Sequence, residues 1–216
     1  MGKILALAGV NGAGKSSLLG TMLGEDGATW FNPDTFTRGL VEAGWPPAEA
    51  NAEAWQEGVR RLRRAMADGS DYAFETTLAA NTIPALLREA CGQHQVTVWF
   101  CGLSSVELHL QRVAAPVASG GHDIPEASIR SRYDSSRTNL IALLPHLTAL
   151  HAYDNSRSAG AEGQVRPLLV LEIDAAGLHY PVTVEQMEQT PEWARPIVMA
   201  ALEAHRPREA GRVTSE

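Results

Sequence analysis

The chain has 216 residues, 44% apolar and 20% charged, with a formal net charge of −7. That is enough chain for one well-buried α/β domain, and an acidic protein lacks the basic face needed to coat nucleic acid or an anionic membrane. The two cysteines, Cys91 and Cys101, are too far apart for a paired metal motif, and Cys101 ends an apolar run, where a buried thiol is expected.

The first predicted element is Lys3–Ala8, an apolar run without alternation, as a central parallel strand buried on both faces would show. It leads straight into glycines. No secretory cleavage pattern precedes it and no apolar stretch reaches membrane-spanning length, so a soluble cytoplasmic protein is expected. A helix is predicted over Gly14–Leu23, then a short strand over Ala28–Phe31. A long helix follows over Ala48–Asp68, with Trp55, Val59, Leu62 and Met66 on one face and Arg60, Arg61 and Arg64 turned to solvent. Further strands are expected at Tyr72–Phe74, Val96–Cys101, His151–Tyr153 and Leu168–Ile173. Ser104 with Glu107 reads as a capping box for the helix carrying Leu110, Val113 and Val117. Pro125-Glu126 opens a helix running through Ile129, Tyr133, Leu140 and Leu144. Thr190-Pro191-Glu192 opens a last helix ending near His205, and the polar residues 207–216 read as a frayed tail. Strand–helix alternation implies an open parallel sheet with helices on both faces, in one domain over residues 1–206.

The strongest signal is Gly9-Val10-Asn11-Gly12-Ala13-Gly14-Lys15-Ser16, which matches G-x-x-x-x-G-K-[ST] at every fixed position, between a strand and a helix. Glycines let backbone N–H groups wrap a phosphate, and the helix N-terminus adds positive partial charge. Lys15 is then expected to reach the β- and γ-phosphates and Ser16 to ligate magnesium. There is no N-K-x-D segment to read guanine, and no strand ends in paired acids as in motor-type ATPases. Single carboxylates follow two strands instead: Asp34 and Glu75. In an open α/β sheet the carboxyl ends of the strands line the ligand crevice. A carboxylate there suits a base that takes the proton of an acceptor hydroxyl during phosphoryl transfer. Arg112, Arg130 and Arg132 flank Gly120-Gly121-His122-Asp123, a double glycine that reads as the hinge of an arginine-bearing lid. His122 has no second His or Cys at ligand spacing, which favours hydrogen bonding in the lid over metal binding.

These residues resemble the zeta toxin family of P-loop kinases. The likeness is carried by AGVNGAGKSS (residues 8–17), NPDTF (32–36), FETTL (74–78), ELHLQRV (107–113), GGHDIPEASIRSRY (120–133), Asn139-Leu140 and YDNS (153–156). The resemblance implies a nucleotide-kinase-like fold, ATP and Mg2+ as cofactors, a UDP-amino sugar (UDP-N-acetylglucosamine in characterised members) as acceptor, and a small helical antitoxin as a partner. It implies Asp34 as the base, Glu75 at the acceptor or the metal with Thr76 and Thr77 beside it at the acceptor, and Gly9, Asn11, Gly12, Ala13, Gly14, Lys15, Ser16 and Ser17 around the phosphates. Asn155 falls toward the adenine, and Arg112 and Arg132, more than Arg130, on the transferring phosphate. The chain departs from the family at Pro116, where close relatives often carry an arginine; a proline there removes a backbone N–H. Other hydroxyl acceptors, a nucleoside or an antibiotic, and a nucleotide-binding protein without catalysis are the alternative readings. The stretch from Thr37 to Trp55, with Arg38, Trp45 and Pro46-Pro47, is where an acceptor pocket is expected, with Trp45 either packed or stacked on the acceptor.

Overall fold

The structure, a computed structural model, describes residues 1–16, 18, 30–117, 124–157 and 167–205, the side chains of 115–117 excepted. Ser17, the Gly120–Asp123 hinge with His122, most of the predicted Gly14–Leu23 helix and the 207–216 tail lie outside the described residues.

Among the described residues, six strands form one sheet: β1 (Lys3–Ala8), β2 (Tyr72–Thr76), β3 (Gln95–Gly102), β4 (Ala149–Asp154), β5 (Leu168–Asp174) and β6 (Gly177–Tyr180), in the order β2-β1-β3-β4-β5-β6. The first four pair in parallel. β5 and β6 pair antiparallel. The fold is α/β and nucleotide-kinase-like, but its sheet is mixed, because β5 runs back against β4 and a tight turn joins it to β6. The apolar run of Leu168–Ile173 marks a buried strand without encoding its direction.

The helices are α1 (Pro33–Glu42), α2 (Pro47–Asp68), α3 (Thr82–Ala90), α4 (Val106–Val117), α5 (Glu126–Leu143), α6 (Val184–Glu188) and α7 (Arg195–Ala204). Among the described residues, no helix is long and apolar enough to cross a membrane. Successive strand side chains alternate between faces. Ile4, Ala6 and Ala8 join Val96, Val98, Phe100, Leu150 and Ala152 in a large core closed by α2, α3, α5 and α7. Leu7, Cys101 and Tyr153 point the other way and meet Ala13 and Leu18 beside the phosphate loop.

Five expectations need correction. The strand expected at Ala28–Phe31 is, in its described part, a single bridge from Phe31 to Phe74. Asn32 then caps a helix that sequence reading missed, so Asp34 sits in the first turn of α1 rather than at a strand end. On α2 the buried stripe is Ala50, Ala54, Gly58, Val59, Leu62 and Ala65, while Trp55 is 46% exposed. These small residues let the helix lie close to its neighbours, and the indole falls outside the contact. Arg61 is not simply solvated, since its guanidinium lies 4.8 Å from the centre of the Phe31 ring. Finally, the capping residue of α4 is Ser105, whose hydroxyl accepts from the Leu108 N–H, and not Ser104.

Strand order places the crevice. From β1 the chain passes first to β2 on one side and then to β3 on the other, and ligands of open α/β sheets bind where that order reverses. The loop leaving β1 opens at this point.

Candidate functional site

The phosphate loop is held in shape from behind. Gly9 has φ 143° and Gly14 φ 87°. A side chain on Gly9 would lie 2.2 Å from the Cys101 carbonyl oxygen, and one on Gly14 2.4 Å from Asn155 Nδ2. Both positions therefore demand glycine sterically as well as conformationally. Gly9 N–H donates to the Thr76 carbonyl across the β1–β2 junction. The Ala13 carbonyl accepts from Asn155 Nδ2 at 2.9 Å and from the Cys101 thiol at 3.0 Å. Burial pushes that thiol's pKa up to about 12, so it stays protonated and serves as a donor. Asn155 thus lies beneath the loop, its Oδ1 buried and without a partner among the described residues.

A second set of contacts comes from the helices after β3. Arg132 Nη1 donates to Asn11 Oδ1 at 2.8 Å. His109 Nδ1 lies 2.8 Å from the Asn11 backbone carbonyl oxygen, so that nitrogen carries the hydrogen. His109 is 1% exposed. Burial, abetted by the cations Lys15, Arg112 and Arg137, lowers its pKa to about 4, so the ring is neutral near pH 7. His109 meets Tyr133 edge-on, which ties α4 to α5 beside the loop. Nothing in the sequence pattern singled out His109. It reads as one more residue of an amphipathic helix until the fold sets it against Asn11.

The cleft in front of the loop is lined by Asn11, Gly12, Gly14, Lys15, Ser16, Asp34 and Glu75. Lys15 Nζ donates to the Gly9 carbonyl at 2.9 Å, so the ammonium lies folded against the loop. Glu75 Oε1 accepts from Ser16 Oγ at 2.8 Å, Asn32 Nδ2 at 2.9 Å and Trp30 Nε1 at 3.1 Å. Asp34 is exposed to the cleft from the first turn of α1. The helix start is legible in retrospect: Asn32 followed by Pro33 is a cap followed by proline at the first helical position.

Other expected site residues lie further from the cleft. Thr76 Oγ1 accepts from the Leu78 N–H, and the Thr77 carbonyl accepts from Ser136 Oγ. Arg112 reaches the Arg157 carbonyl at 3.4 Å, with its Cβ against Gly12. Arg130 is paired with Glu126 and Glu107 at the surface. Two residues apart on a helix, Arg130 and Arg132 point to nearly opposite sides, and Arg132 is the one that faces the loop. Pro116 falls in the last turn of α4. Trp45, 42% exposed, does not line the cleft. Among the described residues no group of three His, Cys, Asp or Glu forms a metal cluster.

No family model matches the chain. Its sequence is 28% identical over 132 residues to an uncharacterized protein of Haemophilus influenzae, covering 61% of this chain and 92% of that protein. Its structure is similar to a chain of the AvrRxo1-ORF1:-ORF2 crystal structure with ATP, with TM-score 0.64, 15% identity and coverage of 87% of this chain and 62% of that one. The AvrRxo1-ORF1:AvrRxo1-ORF2 structure with sulphate ions gives TM-score 0.61, 14% identity and coverage of 95% and 76%. A chain of the PezAT toxin–antitoxin system of Streptococcus pneumoniae gives TM-score 0.52, 16% identity and coverage of 73% and 69%. These are likenesses of fold, and they agree with an α/β, nucleotide-kinase-like architecture.

Proposed function

We propose that the protein is a P-loop kinase that binds ATP with Mg2+ and transfers the γ-phosphate to a hydroxyl of a small molecule. The observation that carries this reading is one cleft lined by a glycine phosphate loop, Lys15, Ser16 and two carboxylates on separate chain segments, Asp34 and Glu75. Backbone N–H groups of the loop bind the phosphates, and Lys15 moves from the Gly9 carbonyl onto them. Mg2+, when bound, neutralises charge on the β- and γ-oxygens. The residues present suit it, since Ser16 and the neighbouring Glu75 offer oxygen donors of the kind a hard cation takes. Asp34 accepts the proton of the acceptor hydroxyl. Arg132, whose guanidinium is at Asn11, and Arg112, whose Cβ lies against Gly12, are the arginines that would join Lys15 where charge develops.

The acceptor class we assign is a UDP-amino sugar, and the partner class a small helical antitoxin. The first rests on the motif likeness, and the second is supported by the fold shared with one chain of a toxin–antitoxin pair. The test is phosphate transfer from Mg2+-ATP to a panel of UDP-sugars and nucleosides, read by mass spectrometry, beside Asp34→Asn. A phosphorylated UDP-N-acetylhexosamine is expected with the wild-type chain, and product formation with the variant falls by at least a hundredfold while ATP still binds. Unchanged turnover in the variant would remove Asp34 as the base; ATP binding with no product from any acceptor would favour a nucleotide binder without catalysis.

A further inference from the structure

Glu75 is 6% exposed, and its Oε1 gathers three donors from three pieces of chain: the phosphate loop at Ser16, the segment entering the Phe31 bridge at Trp30, and the cap of α1 at Asn32. A serine hydroxyl has one hydrogen and two lone pairs. With the hydrogen of Ser16 given to Glu75, the lone pairs remain for an electrophile in the cleft. Glu75 thereby fixes how Ser16 presents itself, and Trp30 and Asn32 fix Glu75. Indole N–H is a donor only. The amide of Asn32 is used at both ends, Oδ1 accepting from the Thr35 N–H and Nδ2 donating to Glu75. Neither partner would tolerate the flipped amide. One side chain therefore ties the helix that carries Asp34 to the carboxylate that orients Ser16.

We propose that Trp30 and Asn32 are positioning residues for the divalent cation: by holding Glu75 they aim Ser16 into the cleft and so set how strongly Mg2+ tightens ATP binding. This rests on the reading of the cleft as an ATP–Mg2+ site. Groups that orient a metal ligand commonly change metal affinity by about 10- to 100-fold when lost. Two substitutions separate this role from a purely structural one. Trp30→Phe keeps an aromatic ring and removes the N–H. Asn32→Asp keeps the oxygen that caps α1, since aspartate caps about as well as asparagine, but turns a carboxylate oxygen toward Glu75 in place of a donor.

The experiment is calorimetric titration of ATP into the full chain with Mg2+ and with EDTA, alongside thermal unfolding of each variant. The wild-type protein is expected to bind ATP more tightly with Mg2+. That gain is expected to shrink about tenfold in both variants, with affinity in EDTA unchanged within about twofold. If both variants keep the wild-type gain, or lose affinity equally with and without Mg2+, the positioning role is wrong and the ATP site stands. If Asn32→Asp fails to fold, Trp30→Phe alone decides. If the wild-type chain binds no ATP in either buffer, the reading of the cleft fails and the inference with it.

Discussion

His109 has no role in the proposed phosphoryl transfer, yet it joins the glycine loop to α4. Its folded pKa of about 4 lies below the value near 6.5 expected in the unfolded chain. Between those values the unfolded chain binds more protons than the folded one, so stability rises with pH across that window. The contribution is fully present above about pH 6.5 and declines as pH falls toward 4, by on the order of 3 kcal/mol. The neighbouring cations Lys15, Arg112 and Arg137 act in the same direction as burial. His109→Asn retains a donor for the Asn11 carbonyl and does not titrate. Urea midpoints measured from pH 7.5 to 4 should fall more steeply for the wild-type chain than for this variant. Parallel curves would mean that His109 is protonated in the folded protein without penalty.

Among the elements, the segment after β2 carries the least expected backbone. Leu78 is 1% exposed and adopts φ 56°, a left-handed conformation that a side chain disfavours. It is kept there by α5: Asn139 Nδ2 donates to the Leu78 and Ala79 carbonyls, and Ser136 to the Thr77 carbonyl. The same helix carries Arg132, so α5 braces the Thr76-Thr77 segment and the phosphate loop together. Leu78→Gly sets two effects against each other. Relief of the left-handed penalty is worth about 1–2 kcal/mol, while emptying a fully buried leucine site costs about 2–5 kcal/mol. The cavity wins, and denaturant unfolding should show the variant less stable by about 1–3 kcal/mol; a more stable variant would mean that the leucine packs poorly. The periodic elements were legible because apolar spacing is a local signal: β1, α2, β3, the α4 and α5 spans, and β5 fall close to where spacing puts them. The phosphate loop was legible because it is contiguous. Glu75 was found as a carboxylate after a strand, but its three donors were not, since Ser16, Trp30 and Asn32 converge on it only through strand order. Helix α1 was missed because Asp34 was read only as a carboxylate following the Ala28–Phe31 run, and the Asn32-Pro33 cap signal beside it was not used. The reversal at β5 was missed because hydrophobicity carries no chain direction.

At the scale of the molecule, the C-terminal helix closes the core behind the sheet. Trp193 is 4% exposed, leans on Phe100, donates from Nε1 to Asp154 at 3.2 Å, and fills the space a side chain on Gly102 would need. Ile197, Val198 and Ala201 continue the same cluster as Ile4 and Val98. Trp193→Ala should cost about 3–5 kcal/mol, read as a lower urea midpoint with an unchanged slope; a loss under about 1 kcal/mol would show that this contact is dispensable. Asp154 also accepts from Ser156, whose neighbour Asn155 lies under the phosphate loop, so Trp193 reaches the back of the cleft through two residues. The order of these pieces along the chain matters during synthesis. Every residue assigned to the cleft and its supports, from Gly9 to Asn155, leaves the ribosome before Trp193 and the helix after it. The growing polypeptide thus carries every cleft residue before the share of the core supplied by Trp193, Ile197, Val198 and Ala201 exists, so a chain cut short ahead of Trp193 would hold the whole cleft sequence over an incomplete core.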